Sequence, residues 1–128
     1  MSEALGQKSI ARLDKNLLQE LEVTFMEFSQ EKGFPDSFCT RVNENISNRL
    51  GLLYQEGFFK LDSPNGKGNL LPTHAWCNDA DGVIIDLTAH QFSANLKEPL
   101  PKGVQIIRPE NPLYKKYLSL NPRINNIR

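Results

Sequence analysis

Cys39, His74 and Asp86 follow one another along this chain as a thiol, an imidazole and a carboxylate. Those are the parts needed for nucleophilic catalysis by cysteine, provided that they meet in space. Cys39 lies in PDSFCTRVNENISNRL, a segment with helical spacing. Either Asp36 or Ser37 can cap that helix, which puts Cys39 in its first turn. Unpaired backbone N–H groups and the positive end of the helix dipole favour a thiolate there. Such surroundings take a cysteine pKa from roughly 8.5 into a range of about 3.5–7.5. The competing reading is packing, because Cys39 also falls in the apolar stripe with Val42 and Ile46.

His74 and Asp86 lie in THAWCNDADGVIIDLTAHQF, which reads as two short strands joined by a turn. The turn decides whether they are neighbours. A three-residue loop, Ala80-Asp81-Gly82, uses Gly82 as the left-handed position of a bulged hairpin. It sets Asp79 against Val83, Trp76 against Asp86, and His74 on the diagonal from Asp86. A loop of Asp79 to Asp81 sets His74 directly opposite Asp86. A two-residue Asp81-Gly82 turn instead sends the two to opposite faces, and Asp-Gly is a strong signal for it.

Asp86 sits in an apolar run, where an unpaired charge is costly, and His74 is its nearest partner. The alternative is that Asp86 bonds nearby backbone at Thr88. Trp76 shares a face with His74; it is either the wall of a substrate-binding groove or a core residue that shields the His–Asp contact. Cys77 faces the other way and reads as packing. His90 is the rival histidine but lies in a loop or short helix. Asp79 and Asp81 are expected to be solvated in the turn.

The elements that must position these groups can be read from periodicity. Ile10, Leu13, Leu17, Leu21, Phe25 and Phe28 form a helical stripe over roughly 9–31. Gly33 and Pro35 end it. The second helix carries Cys39, Val42, Ile46, Leu50 and Leu53, with Gly57 as its stop. Strands are expected at about 58–61, 70–77, 83–88 and 104–108, with a loop at SPNGKGN, residues 63–69. Its NGKG, residues 65–68, does not have the pattern of a phosphate-binding loop. A short helix over 111–120 begins at Pro112. Helices followed by strands indicate an α+β domain, with N-terminal helices packed on an antiparallel sheet.

The 128 residues suit a single domain, 1–128, with a catalytic-type core at about 36–108. Fifteen basic residues balance fifteen acidic ones, so neither nucleic acid nor a membrane is an expected partner. The basic residues near Arg123 to Arg128 read as a solvated tail. The start, MSEALGQKS, lacks the pattern of a signal peptide, and no apolar run reaches spanning length; a cytoplasmic location is expected. Two cysteines and two histidines with no close spacing argue against a disulfide scaffold or a zinc site. No metal or organic cofactor is expected.

C-x2-V-x3-I-x3-L, then HAW, then DG, then IIDLT, resembles the papain-like and transglutaminase-like cysteine enzymes, and HAW-x5-DGVIIDLT resembles small bacterial transglutaminase-like proteins. The resemblance covers roughly residues 36–92. It implies a papain-like or transglutaminase-like core, with Cys39 as nucleophile, His74 as general base and acid, and Asp86 orienting the imidazole. The expected function is thiol-dependent acyl transfer on a protein or peptide substrate, as a cysteine peptidase, amidase or protein-glutamine deamidase. A non-catalytic binding module on the same fold and a toxin or effector-type domain are the alternatives. The chain is short for the superfamily, and the upstream Gln or Asn that often lines an oxyanion hole is not identifiable; Gln30 is the nearest candidate, beside the Cys39 backbone N–H.

Overall fold

A computed structural model describes residues 10–62 and 71–120. The MSEALGQKS start, the loop at 63–69 and the tail at 123–128 lie outside the described residues. Within them, two helices pack on a curled antiparallel sheet of five strands, an α+β arrangement. Among the described residues no helix is long and apolar enough to cross a membrane.

Helix α1 spans Lys15–Ser29, shorter than the stripe that announces it. Asp14 sets the start: its side chain accepts from the Leu17 N–H, the geometry of an N-cap. The stretch ahead of it is held by backbone bonds, the Ala11 N–H donating to the Gly51 carbonyl and the Ala80 N–H donating to the Ala11 carbonyl. Helix α2 spans Cys39–Leu50, and neither Asp36 nor Ser37 caps it. Ser37 takes a left-handed backbone (φ 66°) rather than the extended one an N-cap needs, so the cap position falls to Phe38, which makes no side-chain cap.

Gly51, not Gly57, ends α2, in the left-handed conformation (φ 75°) that favours glycine. Gly57 instead lies inside strand β1, Leu53–Phe59. Strand β2 is Thr73–Asn78, β3 is Ile84–Asp86 and β4 is Gln105–Ile107. The helix expected over 111–120 is only one short 3-10 turn, Pro112–Lys116; Tyr117–Ser119 then form strand β5. The strand order is β4-β3-β2-β1-β5, so the last strand docks beside the first.

Gly57 makes that docking possible. It pairs with Ser119, and a Cβ at this position would run into the Leu118 carbonyl. Only a residue without a side chain admits β5 at that distance.

The sheet separates two apolar clusters. On the helix side, Leu17, Leu21, Val42 and Ile46 pack against Leu52, Cys77, Ile85 and Leu87. On the other side, Phe59, Trp76, Ile84, Phe92, Ile107 and Tyr117 pack together. The alternation of β2 sends Cys77 to the first cluster and Trp76 to the second, and His74 shares the face of Trp76.

Candidate active site

The 79–82 turn is the three-residue loop. Cys77 pairs with Ile85 and Asn78 with Ile84, and Gly82 is left-handed (φ 83°). Carried onward, the register sets Trp76 opposite Asp86 and His74 on the diagonal. Asp79 builds this turn and is 4% exposed rather than solvated. Its Oδ1 accepts from the Asp81 and Val83 N–H groups, and its Oδ2 accepts from the Leu13 N–H. A turn carboxylate that caps three amides is worth burying. Asp81 stays exposed and pairs with Arg12.

His74 Nε2 lies 2.6 Å from Asp86 Oδ2, with both side chains fully buried. Asp86 makes a full set of bonds. Its Oδ1 accepts from the Thr88 N–H at 2.9 Å and the Thr88 hydroxyl at 3.2 Å. Its Oδ2 accepts the Tyr117 hydroxyl at 2.8 Å in addition to His74. Both sequence readings of Asp86 therefore hold together: it bonds the Thr88 backbone and it partners His74. Burial alone would push the Asp86 carboxyl up. The His74 imidazolium and the Thr88 and Tyr117 donors outweigh it and hold the group below the usual carboxylate range.

Aromatic rings enclose the imidazole. Phe92, Phe59, Trp76 and Tyr117 lie with ring centroids at 4.9, 5.9, 6.0 and 6.0 Å. Excluding water strengthens the His–Asp attraction, because the local dielectric falls. Burial by itself would lower the His74 proton affinity; the Asp86 charge and hydrogen bond reverse this and raise it to about 9, with the Cys39 thiol adding to the rise. Nδ1, the nitrogen not facing Asp86, is buried and has no hydrogen-bond partner among the described residues.

Cys39 is the first residue of α2 and half-buried. Burial pushes its thiol up. The His74 imidazole, the Ala75 backbone and the Thr40 hydroxyl outweigh that and bring it below the ordinary thiol value. The thiol and the imidazole thus lie close enough for each to shift the other. The first helical bond of α2 is Val42 N–H to the Phe38 carbonyl, so the N–H groups of Cys39, Thr40 and Arg41 have no intrahelical acceptor.

Asn43 holds the helix start in place. Its Nδ2 donates to the Cys39 carbonyl at 2.7 Å and to the Ala75 carbonyl at 3.0 Å. It is fully buried, and it ties the first turn of α2 to the residue after His74. Asn43 carries a readable signal in the sequence, a polar residue beside Val42 and four after Cys39. Tyr117 carries no such signal, because the segment 111–120 reads as helix while Tyr117 stands on β5.

Trp76 is 2% exposed, and its ring stacks on His74. It borders a cavity of about 480 Å³ with Gln55, Asn78, Tyr114, Tyr117 and Ser119, but neither Cys39 nor His74 lines that cavity. Trp76 therefore lies against both the imidazole and that cavity. Gln30 is exposed and bonds within its own helix, to the Met26 carbonyl at 3.4 Å. His90 packs against Phe34 and Phe25 and makes no bond to Asp86. Burial, helped by Lys102, lowers its proton affinity. The two histidines are therefore shifted in opposite directions.

Comparison of the chain with protein-family models, curated proteins and solved structures gave no match.

Proposed function

We propose that this protein is a thiol-dependent acyl-transfer enzyme, with Cys39 as nucleophile, His74 as proton carrier and Asp86 as the group that orients the imidazole. One observation carries the reading: a buried His74–Asp86 pair at 2.6 Å with the half-buried Cys39 thiol beside it, the imidazole lowering the proton affinity of the thiol. The same reading takes the helix-then-sheet core as papain-like or transglutaminase-like, the substrate as a protein or peptide, and the setting as cytoplasmic.

In the resting pair the Cys39 proton resides on His74, giving a thiolate and an imidazolium. The thiolate attacks an amide carbonyl carbon, forming a C–S bond and an oxyanion. The N–H groups of Cys39, Thr40 and Arg41, which have no acceptor within α2, serve in this reading as its donors. As the C–N bond breaks, the imidazolium passes its proton to the leaving amine and a thioester remains on Cys39. Neutral His74 then takes a proton from water, the hydroxide attacks the thioester carbonyl, and the thiolate leaves as the carboxylic acid forms. With a glutamine side chain the leaving group is ammonia and the outcome is deamidation.

Mass-spectrometric trapping of acyl-thioesters tests this, with Cys39→Ala as the control. An adduct confined to Cys39 is expected. A second measurement is alkylation at pH 6, where Cys39 should react far faster than Cys77. Equal, slow labelling of both thiols sinks the proposal.

A further inference from the structure

We propose that Tyr117 is a positioning residue of this site, whose hydroxyl shares Asp86 Oδ2 with His74 and limits how tightly that carboxylate holds the imidazole proton. The inference rests on the function proposed above and adds a fourth member to its machinery.

The argument is geometric. Tyr117 donates to Oδ2 at 2.8 Å, and His74 Nε2 approaches the same oxygen at 2.6 Å. The two Thr88 donors serve the other oxygen, Oδ1. Asp86 is fully buried, so no solvent competes for these positions. The phenol can act only as donor here: burial, with the Asp86 charge, raises its proton affinity well above the ordinary value. A donor on a carboxylate oxygen is worth most when that oxygen carries its full charge, after His74 has given up its proton. It is worth less while the imidazolium neutralises the oxygen. Tyr117 therefore favours the deprotonated ring. General acid catalysis works best when the acid's pKa lies near the working pH, and His74 already stands high, at about 9.

Among the described residues, the other titratable groups that feel this pair are Cys39 from the start of α2, Cys77 on β2 and His90 from the 3-10 turn Ala89–Asn95. None of them bonds Asp86. Tyr117 reaches it from β5, the strand that Gly57 admits to the sheet edge.

The test is an NMR titration of isotopically labelled histidine in the full chain, with the two signals assigned through His90→Gln. In Tyr117→Phe, which keeps the buried ring, the His74 midpoint should rise by about half a unit to one unit. Thr88→Val removes the longer hydroxyl bond to the other oxygen and should raise it less. A folded Tyr117→Phe with an unchanged or lowered midpoint overturns the proposal, because a purely structural tyrosine would not move it upward. Should that variant fail to fold, 3-fluorotyrosine in place of the tyrosines provides the reverse probe. A more acidic phenol donates more strongly, so the midpoint should fall, and no fall overturns the proposal. The titration needs no substrate, so failure to trap a thioester would defeat the function while leaving this result to be decided separately.

Discussion

Cys39 and Cys77 touch the same turn of one helix and are opposite in character. Asn43 donates its side-chain amide to the Cys39 carbonyl, while its own backbone carbonyl accepts the Cys77 thiol at 3.4 Å. Yet Cys77 is fully buried on the helix side of the sheet, where burial, with the Asp86 charge behind it, drives its thiol far up. Cys39, at the helix start, has an imidazole, a backbone donor and a hydroxyl around it, and its thiol comes down. Burial opposes the thiolate at both positions. What separates them is whether donors are present to outweigh it, so the proton affinity of each thiol is set by its place relative to the helix terminus and its neighbours.

The largest test of this contrast is deletion. Cys39→Ala should abolish thioester formation. Cys77→Ala should retain it and cost only stability, about 1 kcal/mol by urea unfolding. If Cys77→Ala loses the chemistry while folded, the contrast is broken. Next, Asp86→Asn keeps the shape and removes the charge that holds the His74 proton. Cys39 alkylation at pH 6 should then fall on the order of a hundredfold, toward the rate of an ordinary thiol. An unchanged rate would detach the thiol from the His–Asp pair.

Asn43→Ala probes the shared turn. It leaves the Cys39 and Ala75 carbonyls without their donor, and unfolding should become easier by about 2–3 kcal/mol. Cys39 labelling should slow in the same variant, because the helix start loses its tie to β2.

A further effect lies in the pH dependence of stability. The folded His74 value, about 9, exceeds the 6.5 of an ordinary imidazole. Its contribution is therefore complete below about pH 6.5 and disappears as pH rises through 9. The depressed Cys39 thiol works in the opposite sense: it adds stability as pH rises toward the unfolded thiol value. In Cys39→Ala the histidine contribution stands alone, and stability should fall on the order of 2 kcal/mol across that window. Denaturant melts at several pH values measure it, and a flat profile would contradict a protonated, buried His74.

Local chemistry made part of this legible and hid the rest. The Asp79–Gly82 turn could be narrowed to a few registers from its residues alone, since Gly82 supplies the left-handed position and Asp79 caps the amides around it. The helical stripes placed α1 and α2 correctly within a turn or two. Strand β1 was harder, because Gln55 and Gly57 occupy its buried positions and interrupt the apolar alternation. That same interruption made Gly57 look like a helix stop. Tyr117 lay beyond reach for a related reason: nothing near it in sequence announces a strand, and its pairing with Phe59 is long-range. Residues that act through distant partners leave little trace in their own neighbourhood.

The position of β5 also orders events in time. Tyr117 follows Asp86 by 31 residues, and its strand is the last to join the sheet along the chain. A chain emerging from the ribosome thus has its thiol, imidazole and carboxylate before it has the strand that closes the fourth contact. Until Gly57 receives that strand, Asp86 lacks one donor and the aromatic cage around His74 lacks one ring. Completion of the site is in this way tied to completion of the fold.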